Sequence, residues 1–362
     1  MDQPSLLPED SEFLRYLRGL AIFIIVFGHV GGFWFYRPYS GFLLVAVPIF
    51  FMISGAVSYP SYKRSKSVSF YLLKRSFSLL IPYYLLCLFS LIVYILEQKQ
   101  MPTFSLEKLF MWLAIVPSRD IMPFPVGQIW FLYVLLVISI LSPFYFYAYE
   151  RCCYALFSFG LVAILMAAVQ HFFDLAGILT LWKFHFFKPL VCSLFFISGF
   201  YLFFSSKSHK VLFLFGFFSL MASIFLFLKF RFNPDLSYHA HPPDLYYVLI
   251  SFFFIFLVYV LRSFFLKVIS SVKLFALILD FFYKHTFSIF LLHSFSIYFV
   301  ERYLGLISGK DIFYGLKKLF FVLLITIILA VPFTRLSSFL RGIFLSRLKQ
   351  VFEAKVVVRR PV

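Results

Sequence analysis

The chain has 362 residues, of which 62% are hydrophobic and only 13% are charged, and its formal net charge is +18. Soluble globular domains are about half apolar and a quarter charged, so this composition excludes an ordinary soluble protein. A basic excess can indicate nucleic-acid binding in a soluble chain. Here Lys and Arg cluster between apolar runs, where they set membrane topology and contact lipid headgroups, so we expect membrane lipids and no nucleic acid as partners.

Apolar runs long enough to cross a bilayer recur along the whole sequence. They predict an all-α polytopic membrane protein with about ten transmembrane helices. The predicted spans lie at about 14–35, 42–58, 77–96, 128–147, 153–170, 189–204, 211–228, 246–265, 286–304 and 319–336.

The distribution of basic residues predicts the orientation of these spans. With the N-terminus inside, 21 of the 33 Lys and Arg residues lie on the cytoplasmic side, which favours two cytoplasmic termini. We therefore divide the chain into a cytoplasmic segment 1–13, a ten-span membrane domain 14–336 and a basic cytoplasmic tail 337–362.

The first predicted span contains two ionisable side chains in the stretch "RGLAIFIIVFGHV". Arg18 and His29 are eleven residues apart, or about three helical turns, so they share one face with a rise of roughly 16 Å between them. Arg18 could simply extend to lipid phosphates, and His29 could form an interhelical hydrogen bond. Ionisable groups inside a membrane are nevertheless typical of functional sites. The pair suits an anion-binding group below a base or nucleophile.

Four further positions have both a structural and a functional interpretation. Ser54 either packs in its span or donates to an oxyanion. Arg75 is either a topology-setting residue or part of an anion clamp, and Trp130 belongs to the interfacial aromatic belt or stacks on a sugar. His293, in the middle of the ninth span, orients His29, lines an acceptor path or bonds across the bundle.

Neither the histidines of an outer loop nor the cysteines predict a metal site. The polar outer loop at about 229–245 contains His239 and His241, without the further ligands that a metal needs. We interpret the loop as solvated or, alternatively, as a wall of an acceptor site. The four cysteines show no metal-binding or redox spacing, which predicts unpaired thiols.

Five motifs in order resemble the acyltransferase-3 family of integral-membrane acyltransferases. The Arg and His of the first helix match its signature, and "FFMISG" (50–55) resembles its second-span motif. "KRSFSLLIPYY" (74–84), "IWFLYVLL" (129–136) and "TFSIFLLHSF" (286–295) are similar to its later motifs. The resemblance covers essentially the whole chain, and its ten-span fold agrees with the number of predicted spans.

The resemblance implies transfer of an acyl group, usually acetyl, from cytoplasmic acetyl-CoA to a hydroxyl of a surface polysaccharide or lipid-linked glycan. It implies a multi-pass protein of the bacterial inner membrane, and lipopolysaccharide O-antigen is the expected acceptor by analogy. It gives His29 the catalytic position and ties Arg18 to donor binding. Many members have an acidic residue where this chain has Arg15. We expect the donor phosphates near Arg18, Arg15, Lys74 and Arg75, and no metal.

Two questions stay open at the level of sequence. His29 either acts as a general base or forms a transient acetyl-imidazole. A transporter or flippase of a lipid-linked glycan is the main alternative function, although no half-chain symmetry supports it. A non-catalytic scaffold would leave the deep His29 unexplained.

Overall fold

The computed structural model describes residues 5–32, 39–65, 67–103, 105–116, 129–205, 209–307 and 312–358. Helices make up most of these segments. They are α1 (Pro8–Phe27), α2 (Ala46–Lys63), α3 (Val68–Gln98), α4 (Leu106–Leu113), α5 (Ile129–Arg151), α6 (Cys153–Gln170), α7 (Leu175–Ile178), α8 (Phe187–Phe204), α9 (His209–Phe230), α10 (Leu245–Val260), α11 (Arg262–Ser271), α12 (Lys273–Lys284), α13 (Thr286–Leu304) and α14 (Ile312–Val358). Two strands of two residues each, β1 (Thr180–Leu181) and β2 (Phe184–His185), form an antiparallel hairpin between α7 and α8.

The predicted all-α polytopic membrane fold is confirmed. Within the described residues, seven helices are long and apolar enough to cross a membrane, and two bent helix pairs raise that number to nine. The shorter apolar helix α6 coincides with the fifth predicted span and would bring the total to ten.

Several helix boundaries differ from the predicted ones. The eighth predicted span is straight over 246–265, but α10 ends at Val260 and the chain turns by 63° into α11. Helix α12 meets α13 at an angle of 86° and has no counterpart among the predicted spans. Helix α14 continues through Pro332 to Val358, so the predicted basic tail begins as a continuation of the last span.

Two close helix crossings depend on glycine. Gly55 of α2 lies against the carbonyl oxygen of Phe196, and Gly199 of α8 lies against the carbonyl oxygen of Met52. A Cβ at either position would clash with the opposing backbone. Small residues allow the backbones of membrane helices to approach in this way, so α2 and α8 form a tight reciprocal contact within the bundle.

A third glycine brings α12 against the middle of α1. Gly19 faces the backbone of Leu279, where a Cβ would again clash. The same approach places Asp280 3.7 Å from Arg15 and the ring of Tyr283 beside Arg18. The short helix α12 therefore supplies neighbours for both arginines of α1.

Buried hydroxyl groups connect α13 to α14. Ser288 and Thr334 are 2.7 Å apart through their hydroxyl oxygens, and Thr326 donates to Ser296 at 2.7 Å. His285 reaches the same Thr334 hydroxyl at 2.9 Å. In an apolar environment such bonds satisfy polar groups that would otherwise be costly to bury, and they hold α13 at a defined rotation.

The outer loop predicted to be solvated is folded against the bundle. Asp235, His239 and Asp244 are buried. His239 contacts the Asp244 carboxylate through Nδ1 at 2.5 Å and the carbonyl oxygen of Asn233 through Nε2 at 2.9 Å. Asp244 also accepts from the backbone N–H of Tyr247 and so caps α10. Both ring nitrogens of His239 are engaged, which indicates a structural role.

Candidate active site

His29 lies where the regular helix α1 gives way to a π-helical turn over Gly28–Gly32. Such turns are uncommon and recur at functional sites. The imidazole Nδ1 of His29 is 2.7 Å from Nε2 of His293 on α13. The two ring planes are inclined by only 4° and their centroids are 4.9 Å apart, which together with the 2.7 Å nitrogen–nitrogen distance is the geometry of two imidazoles joined edge to edge by a hydrogen bond. The structure therefore brings the two predicted site histidines together.

The hydrogen-bond network assigns the tautomers of this pair. Nδ1 of His293 is 2.7 Å from the carbonyl oxygen of Phe290, which can only accept, so this nitrogen carries the proton. In neutral His293 the other nitrogen, Nε2, must then accept from Nδ1–H of His29. His29 is left with its lone pair on Nε2.

The two histidines also differ in exposure. His293 is fully buried, whereas the side chain of His29 remains accessible. Of the two, only His29 can therefore present a nitrogen to a substrate. His293, buried behind it, fixes the tautomer and the ring orientation of His29. This arrangement of base and orienting group is the one expected for general base catalysis.

Arg18 lies three turns before His29 on α1, in an unusual environment. Its guanidinium carbon is 5.4 Å from the centroid of Phe50 and 6.0 Å from that of Tyr283, so the charge packs on aromatic faces. Its Nε is buried without a hydrogen-bond partner. In the described part of the chain, no carboxylate forms an ion pair with it.

Arg75 on α3 adds a second positive charge near Arg18. Its Nε donates to the hydroxyl of Ser139 at 3.3 Å, and the two guanidinium groups are close enough to repel each other. Like Arg18, it has no carboxylate partner among the described residues. Two partly buried like charges without a counter-ion are unfavourable unless an anion joins them. The pair therefore fits a phosphate-bearing ligand.

Two other predicted donor-side residues are placed differently. Arg15 lies 3.3 Å from the Glu12 carboxylate and 3.7 Å from that of Asp280, so the protein supplies its counter-ions. Lys74 is exposed, and as the residue before Arg75 it points about 100° away around α3. Neither residue shares the environment of Arg18 and Arg75, and a part for either in donor binding stays a prediction.

Phe131 joins three of the sequence motifs in one aromatic cluster. Its ring centroid lies 5.5 Å from Phe50, 4.9 Å from Phe51 and 5.0 Å from Phe290. Phe50 in turn contacts Arg18, and the carbonyl of Phe290 fixes the buried histidine. The cluster explains why motifs far apart in sequence converge: they build the apolar wall between the cationic end and the imidazole pair.

Ser54 is buried one residue before the glycine at the α2–α8 crossing. The hydrogen bonds described for His29 and His293 do not include it. Its position favours the packing interpretation, and the suggested role in oxyanion binding stays a prediction.

Trp130 lies at the start of α5 beside Lys188, a residue outside all five sequence motifs. The ammonium of Lys188 is 3.5 Å from the Trp130 ring centroid and also contacts Nδ1 of His241. The His241 ring meets Trp130 edge-on at 5.1 Å. One face of Trp130 is therefore covered by a cation. A charged residue that opens an apolar run resembles an ordinary interfacial lysine, so nothing in the sequence distinguishes Lys188.

The described residues contain no group of three or more His, Cys, Asp or Glu side chains placed to hold a metal ion. The reactive groups that they do bring together are imidazoles and guanidinium groups.

Comparison with protein families gives one decisive match. The family described as an acyltransferase domain, acyltransferase 3, matches residues 11–335. The chain belongs to the acyltransferase-3 family. Searches of curated proteins and of solved structures give no significant match.

Membership of the acyltransferase-3 family makes the protein a membrane acyltransferase, with an acyl donor and an acceptor as its substrates. The matched region contains every residue discussed above as a candidate for the site. It also contains both bent helix pairs, so the turn that brings Asp280 and Tyr283 to α1 lies within the family domain.

Proposed function

We propose that the protein transfers an acetyl group from cytoplasmic acetyl-CoA to a hydroxyl of a cell-surface glycan, with His29 as the general base. The observation that carries this proposal is the hydrogen-bonded series from His29 through His293 to the carbonyl of Phe290, which leaves Nε2 of His29 able to accept a proton. The protein would lie in the bacterial inner membrane, and lipopolysaccharide O-antigen is the expected acceptor.

The cationic pair would bind the donor. Arg18 and Arg75 would hold the phosphates of CoA, which supply the missing negative charge. From Arg18 to His29 the helix rises roughly 16 Å. That separation is suited to the extended pantetheine arm, which would pass the aromatic wall around Phe131 and bring the thioester to the imidazole. Arg15 and Lys74 would contribute at longer range.

The reaction follows from the tautomer of His29. Nε2 takes the proton of the acceptor hydroxyl as its oxygen attacks the thioester carbon. The C–S bond then breaks, and the imidazolium returns the proton to the departing CoA thiolate. While His29 is charged, its Nδ1–H donates to Nε2 of His293, and this charge-assisted bond stabilises the imidazolium. Attack by Nε2 itself, giving acetyl-histidine, is the alternative route with the same residue.

A direct test uses the full chain in lipid nanodiscs with radiolabelled acetyl-CoA and a lipid-linked O-antigen extract. His29→Ala should lose glycan labelling by about 100-fold or more, the usual contribution of a general base. His185→Ala, at an exposed histidine of the hairpin, is the matched control and should keep full activity. Undiminished labelling by His29→Ala would overturn the proposal. Glycan movement without CoA would instead support a flippase.

A further inference from the structure

The beginnings of three helices converge on one cationic cluster, consisting of Trp130, Lys188 and His241. Trp130 is the second residue of α5, Lys188 is the second residue of α8, and His241 lies four residues before α10. All three helices begin on the side predicted to face outward. The cluster is therefore on the side of the membrane from which a glycan would approach.

Lys188 is held in place by contacts that do not neutralise it. Its ammonium packs on the Trp130 face and contacts the imidazole of His241, and both are uncharged partners when His241 accepts at Nδ1. No carboxylate pairs with Lys188 among the residues that the structure describes. By contrast, Lys183 on the nearby hairpin is paired with Glu107 and Lys318 with Glu301.

A series of ring contacts connects the cluster to the histidine pair. Trp130 is followed by Phe131, whose ring lies 5.0 Å from that of Phe290. The Phe290 ring lies 6.0 Å from that of His293, and its carbonyl accepts from this histidine. Three aromatic rings in succession, those of Trp130, Phe131 and Phe290, thus connect the cation to the histidine pair.

We propose that Lys188 binds an anionic group of the acceptor, a carboxylate or a phosphate, and so selects charged over neutral glycans. The identification of the bound anion as part of an acceptor rests on the proposed function, although its binding can be measured without catalysis. Trp130 and His241 act as positioning residues. They fix the ammonium, while the second face and edges of the tryptophan contact the sugar ring.

The binding test uses three sugars that differ only at carbon 6: methyl glucoside, methyl glucuronide and methyl glucoside 6-phosphate. Their affinities for the full chain in nanodiscs would be measured by ligand-observed NMR. We expect one or both anionic sugars to bind about tenfold or more tightly than the neutral one, the effect of a charge-assisted hydrogen bond. A preference for the glucuronide assigns a carboxylate, and one for the 6-phosphate assigns a phosphate.

Lys188→Met should remove the preference, and Lys188→Arg should retain most of it. Lys183→Met, at the ion-paired lysine, is the matched control and should leave the preference unchanged. Equal affinities for all three sugars in the unmodified protein, or an intact preference in Lys188→Met, would overturn the inference.

A second measurement separates this inference from the proposed function. Slow hydrolysis of acetyl-CoA without acceptor, which should depend on His29, is measured for the unmodified protein and for His29→Ala. A Lys188→Met protein whose unfolding temperature matches that of the unmodified protein is correctly folded, so its loss of anion preference supports the inference. If the protein prefers anionic sugars yet never turns over acetyl-CoA, the anion site stands and the proposed reaction does not. If turnover depends on His29 and no anion preference is found, the proposed reaction stands and the anion site does not.

Discussion

Replacing His293 tests the hydrogen-bonded histidine pair most sharply, because this residue would never touch the substrate. His293→Leu removes the acceptor of Nδ1–H of His29 and keeps a side chain of similar reach. A hydrogen bond to a charged group contributes about 1.5–3 kcal/mol. Since 1.36 kcal/mol is tenfold in rate, the loss predicts a kcat lower by roughly 10- to 150-fold. KM for acetyl-CoA should stay unchanged, because the donor phosphates would be held by Arg18 and Arg75, away from this histidine.

The conservative variant separates positioning from packing. In His293→Gln the amide oxygen can occupy the place of Nε2 and accept from His29, so most of kcat should return. Ser296→Ala, which removes a different buried hydrogen bond of the same helix, is the control and should change stability more than rate. Steady-state transfer of labelled acetyl gives kcat and KM for each variant. A correctly folded His293→Leu protein with normal kcat would refute the assigned roles.

Two further predictions concern the cationic pair and the helix crossing. Arg18→Gln and Arg75→Gln should each raise KM for acetyl-CoA by about tenfold or more, yet leave KM for acetyl-pantetheine, which lacks the nucleotide phosphates, unchanged. Arg64→Gln, at an exposed arginine predicted to face the cytoplasm, is the control, and equal losses with both donors would argue against a phosphate clamp. Gly55→Ala should lower stability by about 1–3 kcal/mol through overpacking, measured as a lower unfolding temperature in detergent. Gly342→Ala, where the added Cβ meets open space, is the control and should not lower the unfolding temperature. Similar unfolding temperatures for the two variants would contradict the close contact between α2 and α8.

Much of the bundle could be predicted because the signal is strong at the level of single segments. A membrane requires long apolar helices, so a span such as Ile129–Arg151 is visible from composition alone. The bend at Leu261 carries no comparable signal. Its flanking residues are apolar on one side and basic on the other, which also describes the ordinary end of a straight span.

The site was predictable in part, for a physical reason that differs from residue to residue. Helical periodicity placed Arg18 and His29 on one face, because both belong to the first helical segment. It could not show that His293 contacts His29, since 264 residues separate them and only the packing of α13 joins them. Lys188 could not be recognised in the sequence because its proposed role depends on its contact with Trp130, which is distant along the chain and close in the fold.

The arrangement of charges along α1 gives the site its direction. In the N-terminal half of the first span, Arg15 has carboxylate partners, whereas Arg18 has none among the described residues. Only Arg18 gains by binding an anion, because the carboxylates beside Arg15 already offset the cost of desolvating its charge. At the other end, His29 has its Nδ1 occupied, so only Nε2 is able to react. One helix therefore presents an unneutralised cation at one depth and a base of fixed tautomer at another. The proposed donor, with phosphates at one end and a thioester at the other, would satisfy both at once.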